Sequence, residues 1–169
     1  MRMSKAFVMT CTILLTLLTV SCHYSFTGAS IDPRTKSVSV EYFPNVAPIV
    51  APRLSQTLTE KLKNKFIVET NLQVTPSGGD LQFTGKITSY TTTPVAIQGN
   101  QTASLNRLTV TATVKFVNKI DDKKSFESTF TNFVDFSSSE NFSSIENKLI
   151  EDVTTMMVQD IFNKAVINW

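Results

Sequence analysis

SLNRLTVTATVKFVN, residues 104–118, alternates without a break. Leu108, Val110, Ala112, Val114 and Phe116 share one parity, and Arg107, Thr109, Thr111, Thr113 and Lys115 take the other. A period of two sustained over this length predicts a strand with one face buried and one face wet. A slip of one residue would turn every apolar side chain outward, so any sheet built on this strand has a strongly fixed register. The stretch sets the frame for the rest of the chain: a sheet with one covered, apolar side and one polar, Thr-rich side.

Working outward, KIDDKK at 119–124 predicts a turn, where Asp121 and Asp122 serve turn formation. SFESTFTNFVDF follows, with Phe126, Phe130, Val134 and Phe136 on one parity and Phe133 on the other, which leaves open a bulge or a ligand-facing aromatic. Upstream, LQFTGKITSY at 81–90 is a further strand, and Gly85 within it points to a bulge or to close packing by a helix. TTTPVAIQGNQTA at 91–103 reads as a loop or frayed strand end, and as a candidate functional loop. KSVSVEYF at 36–43 alternates as a strand, and three prolines in PNVAPIVAP at 44–52 stop it.

Two segments carry helical spacing instead. Leu54, Leu58, Leu62 and Phe66 form a stripe in a helix over 53–68, with Lys61, Lys63 and Lys65 as a solvated face. A second helix runs from about 144 to the end, with Ser143 and Glu146 as a capping box. Its stripe is Ile145, Leu149, Val153, Met156, Ile161 and Ala165. The order is β-α-β-β-β-α. Each element has one apolar face, so the economical solution is an α+β fold: a two-layer sandwich with both helices packed on one face of a four-stranded mixed sheet.

The chain has 169 residues, enough for one domain. Its N-terminus carries a signal of its own. Arg2 and Lys5 precede the uncharged, mostly apolar run AFVMTCTILLTLLTV at 6–20, and Ser21 precedes Cys22. The run suits a signal peptide and falls short of the roughly 20 residues of a membrane span. An apolar run, a small residue and a cysteine have the general form of a lipobox, although Thr19 stands where leucine is common. The expected organisation is a lipoprotein signal peptide at 1–21 and one domain at 22–169, with a short tether at 22–35. Cys22 is the expected lipid-attachment residue, and two or three acyl chains such as palmitate would anchor it stably.

This cut changes the charge balance. The whole chain has 16 Lys and Arg against 14 Asp and Glu; residues 1–21 hold two basic residues and no acidic one, so the remainder is neutral. A nucleic-acid partner loses the positive field it would need. Cys11 leaves with the signal, so the mature chain has no cysteine pair for an internal disulfide. His23 is the only histidine and sits beside the anchor, which argues against a metal site and against Ser/His/Asp or Cys/His catalysis. No cofactor other than the covalent lipid is expected, and no enzymatic activity. HYSFTGAS after the cysteine lacks an acidic cluster of the kind that resembles a surface-export tag, which points to the periplasmic leaflet of the outer membrane.

Specific strings add to this. YSFTGASI, EYFPNVAPIVAPRLSQTLTEKLKNKF, DLQFTGKITSYTTTPVAIQGNQTASLNRLTVTATVKFVN and the terminal DIFNKAVINW resemble the LptE family of lipopolysaccharide-assembly lipoproteins, in its Bacteroidetes-type form. The resemblance covers nearly the whole mature chain and implies the same two-layer fold. It also implies a plug in the lumen of the outer-membrane β-barrel LptD, helping the barrel assemble and delivering lipopolysaccharide to the outer leaflet. A neutral Thr-rich face would suit a polar barrel wall. Lipopolysaccharide phosphates need Lys or Arg; Arg107 and Lys115 on the open face and Lys123 and Lys124 in the adjacent turn are the candidates. The competing reading is a lipid-anchored periplasmic module that binds other proteins and has no part in lipopolysaccharide transport.

Overall fold

The computed structural model describes residues 31–95 and 104–166. Five strands and two helices make up these residues: β1 (Ser37–Val40), α1 (Leu54–Glu69), β2 (Gln73–Thr75), β3 (Leu81–Val95), β4 (Leu105–Asn118), β5 (Phe126–Ser137) and α2 (Phe142–Val166). The sheet order is β2-β1-β3-β4-β5. β1 runs parallel to both β2 and β3, while β3, β4 and β5 form an antiparallel meander. Both helices cover one side, α1 against β1 and β2, and α2 against β4 and β5.

The alternation of β4 is realised in full. Leu108, Val110, Ala112, Val114 and Phe116 are buried under the helices, and Lys115 is exposed on the opposite face. The α1 stripe of Leu54, Leu58, Leu62 and Phe66 is likewise buried. A run of phenylalanine rings ties the two layers together. Phe162 of α2 meets Phe66 of α1 at 5.1 Å between centroids, Phe66 meets Phe83 of β3 at 5.1 Å, and Phe83 meets Phe116 of β4 at 4.7 Å. Tilted pairs at such separations are favourable beyond the area they bury.

The structure corrects the sequence reading in several places. The sheet has five strands, because Gln73–Thr75 adds a short parallel edge beside β1. Of the two readings of 91–103, loop or strand end, residues 91–95 take the strand: they continue β3 and pair with β4 as far as Val95 opposite Leu105, while residues 96–103 lie outside the described residues. β3 does contain a bulge, at Thr88 rather than Gly85, and it switches the inward parity from Ile87 to Tyr90. Gly85 answers to close packing instead, against the Phe43 ring and the β4 backbone rather than a helix. The segment after β1 stays beside β3 despite its prolines: Ile87 N–H donates to Pro44 O and Val46 N–H to Ile87 O, each at 2.9 Å.

At the start of α2, Asn141 is the cap, since its side chain accepts from Ser143 N–H at 3.0 Å. Glu146, released from the expected capping box, accepts a 2.7 Å bond from the Tyr90 hydroxyl. Burial, and then this bond, push the Tyr90 phenol above its ordinary pKa. Met157 is fully buried while Met156 is 39% exposed, so the core stripe of α2 runs through the second methionine. Lys61 and Lys65 are not simply solvated. Lys61 reaches Glu151 at 2.7 Å and Thr155 at 2.6 Å, and Lys65 bonds Gln159, which ties α1 to α2.

Candidate functional site

The face of the sheet away from the helices is the candidate site. The residues on it follow from register. After the bulge, rows across β3, β4 and β5 read Thr93–Arg107–Asp135, Thr91–Thr109–Phe133 and Ser89–Thr111–Thr131; below it come Lys86–Thr113–Thr129 and Thr84–Lys115–Glu127. Hydroxyls pair along the rows, with Thr111 and Thr131 Oγ1 atoms 3.0 Å apart. No helix among the described residues lies over this side.

Arg107 is the best-anchored polar group there. Its Nε and Nη2 donate to the two carboxylate oxygens of Asp135 at 2.7 and 2.8 Å. Its guanidinium carbon stands 3.7 Å from the centre of the Phe133 ring, and Phe133 is 47% exposed. The hydrogen bonds from Arg107 hold the Asp135 carboxyl below the usual carboxylate range, and the same bonds raise the Arg107 pKa. This two-pronged pair satisfies the guanidinium on its own sheet. β5 runs without a register shift past Phe133, so of the two openings left for that residue the structure takes the outward-facing aromatic, with no bulge.

The four candidate cations do not converge. Arg107 and Lys115 are eight residues apart on one strand, about 27 Å at ~3.4 Å per residue. Lys115 faces Glu127 across the β4–β5 pair. Lys123 and Lys124 belong to a short 3-10 turn (Asp122–Lys124) that Asp121 caps by accepting from Lys123 N–H at 3.3 Å. Lys124 is half-buried beside Ile31 and Asp32, while Lys123 is exposed. Lys115 and this turn thus occupy one end of the sheet and Arg107 the other. Cys22, His23, the signal segment and the tether up to residue 30 lie outside the described residues.

Sequence reasoning missed Asp135 as the partner of Arg107. The signal was available in the turn at 119–124: a hairpin that sets Phe116 against Phe126 sets 107 against 135 by counting.

A groove lies where the described chain begins. It is open, with a volume of about 410 Å³, and is lined by Ile31, Asp32, Lys36, Val68, Glu69 and Leu72. Arg34 Nη2 bonds Asp32 at 2.8 Å; hydrogen bonds from Arg34 lower the Asp32 pKa to about 2. Nearby, Asp80 accepts from Lys36 N–H, Ser37 N–H and the Ser37 hydroxyl, at 2.8, 3.0 and 3.0 Å. The first of these bonds does most to lower the Asp80 pKa, and together they clamp the start of β1 to the start of β3. Among the described residues no group of three or more His, Cys, Asp or Glu side chains is placed to hold a metal, and no helix is long and apolar enough to cross a membrane.

Fold and face together define a class: a small two-layer α+β domain that buries its helices against one side of a sheet and presents the other, hydroxyl-rich side outward. Among solved structures, a protein from Xanthomonas campestris shares this fold, with a TM-score of 0.51 at 12% identity, covering 82% of this chain and 90% of that one. A minor lipoprotein from Acinetobacter baumannii aligns with a TM-score of 0.47 at 18% identity, covering 78% and 96%. A lipoprotein from Neisseria meningitidis aligns with a TM-score of 0.38 at 14% identity, covering 73% and 99%. No curated protein matches the chain. The family model for lipopolysaccharide-assembly LptE matches residues 35–165, from just before β1 to near the end of α2. The chain belongs to the LptE lipopolysaccharide-assembly family.

Proposed function

We propose that this chain is an outer-membrane lipoprotein, acylated at Cys22 and held in the periplasmic leaflet, that assists assembly of the lipopolysaccharide-translocating β-barrel LptD and delivery of lipopolysaccharide through it. It works as a non-enzymatic plug or binding partner in the barrel, with no cofactor besides its lipid. The observation that carries this reading is family membership across the whole described domain. The open sheet face supports it: hydroxyl side chains fill much of it, its charges are of both signs and its one arginine is already paired, which suits a polar protein wall. Of the four candidate cations, direct lipopolysaccharide contact falls to those not used internally in this way, Lys115 and Lys123, with Lys124 beside them at the same end; Arg107 remains a candidate only if Asp135 releases it.

The lipid claim has its own test. Cys22→Ala is expected to abolish incorporation of labelled palmitate and to leave the chain unprocessed or soluble. Undiminished labelling of the variant sinks lipidation at this residue. Barrel partnership is tested separately by co-purification, as set out at the end of the Discussion.

A further inference from the structure

We propose that the segment Ile167-Asn168-Trp169 folds over the open groove at the start of the described chain, and that the Trp169 ring fills this groove against Val68 and Leu72.

The groove lies at the end of the domain toward which both helices run. α1 and α2 point the same way, since Lys61 meets Thr155, Lys65 meets Gln159 and Phe66 meets Phe162 in ascending order. Val68 stands in the last turn of α1 and lines the groove, yet it is 80% exposed, and a valine gains free energy by burial. Ile31 and Leu72 in the same wall are only half-buried. Thr35, also in this wall, has the opposite fault. It is 5% exposed, and its hydroxyl has no hydrogen-bond partner among the described residues. A buried polar atom in that state costs stability and calls for a partner nearby. The groove thus lacks both an apolar cover and a polar partner.

The position of Val166 says what supplies them. A narrow cleft adjoins the groove and shares Ile31, Asp32 and Thr35 with it, and Ala165 and Val166 line this cleft as well. The last described residue of α2 therefore stands at the mouth of the groove. Three further residues span up to about 10 Å, enough to pass from the cleft into the groove. They include the large apolar side chains of Ile167 and Trp169. An indole offers a broad apolar face and one N–H donor. It matches walls in which Val68 and Leu72 alternate with the oxygens of Asp32, Glu69 and Thr35. The chain on the other side of the groove fits it less well: the residues before Ile31 are Thr27-Gly28-Ala29-Ser30, all small, and fill little of about 410 Å³. Because Leu72 directly precedes β2, the cover also gives that three-residue strand a second support besides its pairing with β1.

Trp169 is the one tryptophan of the sequence, so intrinsic fluorescence reports on it alone. In the purified full chain in detergent, its emission is expected to be blue-shifted and protected from acrylamide, both relative to the same chain unfolded in urea. Val68→Glu sets a charge under the ring, at a position exposed enough for the fold to tolerate the change. It is expected to move the emission to the red and to restore most of the quenching, with an unchanged circular dichroism spectrum. Ile49→Glu is the control: Ile49 is 60% exposed in the segment before α1, at the other end of that helix, and the variant is expected to keep the native emission and protection. Native emission equal to that of the unfolded chain overturns the proposal. So does protection that survives Val68→Glu, which would put the ring in the detergent or on another surface, and so does an equal loss in Ile49→Glu.

Discussion

Phe83→Ala is expected to cost about 3–5 kcal/mol of folding stability, the range for removing a fully buried aromatic. Phe83 is completely buried and sits between Phe66 at 5.1 Å and Phe116 at 4.7 Å. It is thus the ring through which α1 reaches the sheet, and β1 pairs beside it through Val40. Truncation leaves a cavity that neither layer can close without moving the other. A domain of this size has a total stability of about 5–15 kcal/mol, so the variant should sit near the edge of folding. Urea denaturation measures it. The expected result is a large fall in midpoint with an unchanged slope, because the same surface is exposed on unfolding. A loss below about 1 kcal/mol would mean that the layers do not meet through this ring.

Gly85→Val is the second large effect, and its sign is informative. In an open strand, replacing glycine stabilises by reducing the freedom of the unfolded chain, and even alanine gives about 0.4–1 kcal/mol. Here a Cβ at position 85 would stand 2.4 Å from Thr113 O and 2.7 Å from the Phe43 ring. The first neighbour is backbone of the paired strand and cannot rotate away. The substitution must therefore separate β3 from β4 or expel Phe43, at a cost of about 1–3 kcal/mol or more for overpacking. Thermal unfolding of Gly85→Ala and Gly85→Val checks this: both midpoints should fall, valine further. A rise in either would show that the ring of Phe43 does not occupy that space.

Periodicity made most of the architecture legible. The β4 alternation and the α1 stripe each place their side chains where burial puts them, because long amphipathic patterns leave little choice of face. Short or locally ambiguous features were not legible. Gln73–Thr75 has too few residues to display a period, and it becomes a strand only because β1 offers it a parallel edge. The bulge at Thr88 has no composition of its own; Gly85, which looks like a bulge residue, is fixed by a ring from a distant segment. Met156 and Met157 are adjacent and chemically alike, so only the packing of α2 decides which one is inside. Glu146 fits a capping box by spacing, but Tyr90 claims it from another element. On the candidate face, sequence found the open side, its threonines and Phe133. It did not find that Arg107 is held by Asp135, since that depends on counting register across a turn.

Arg107–Asp135 also shapes what the face presents to a partner. A guanidinium with both prongs engaged and its plane against an aromatic ring is a rigid, neutral platform, of the kind enriched at the centre of protein interfaces. The other cations on this side are Lys86 in the middle of the face, and Lys115 and the turn toward the opposite end.

Affinity purification of the tagged chain from native outer membranes, in mild detergent, tests the barrel partnership most directly. A single large β-barrel protein recovered at near-equal stoichiometry is the expected result. Recovery of soluble periplasmic proteins alone, with no barrel, would contradict it.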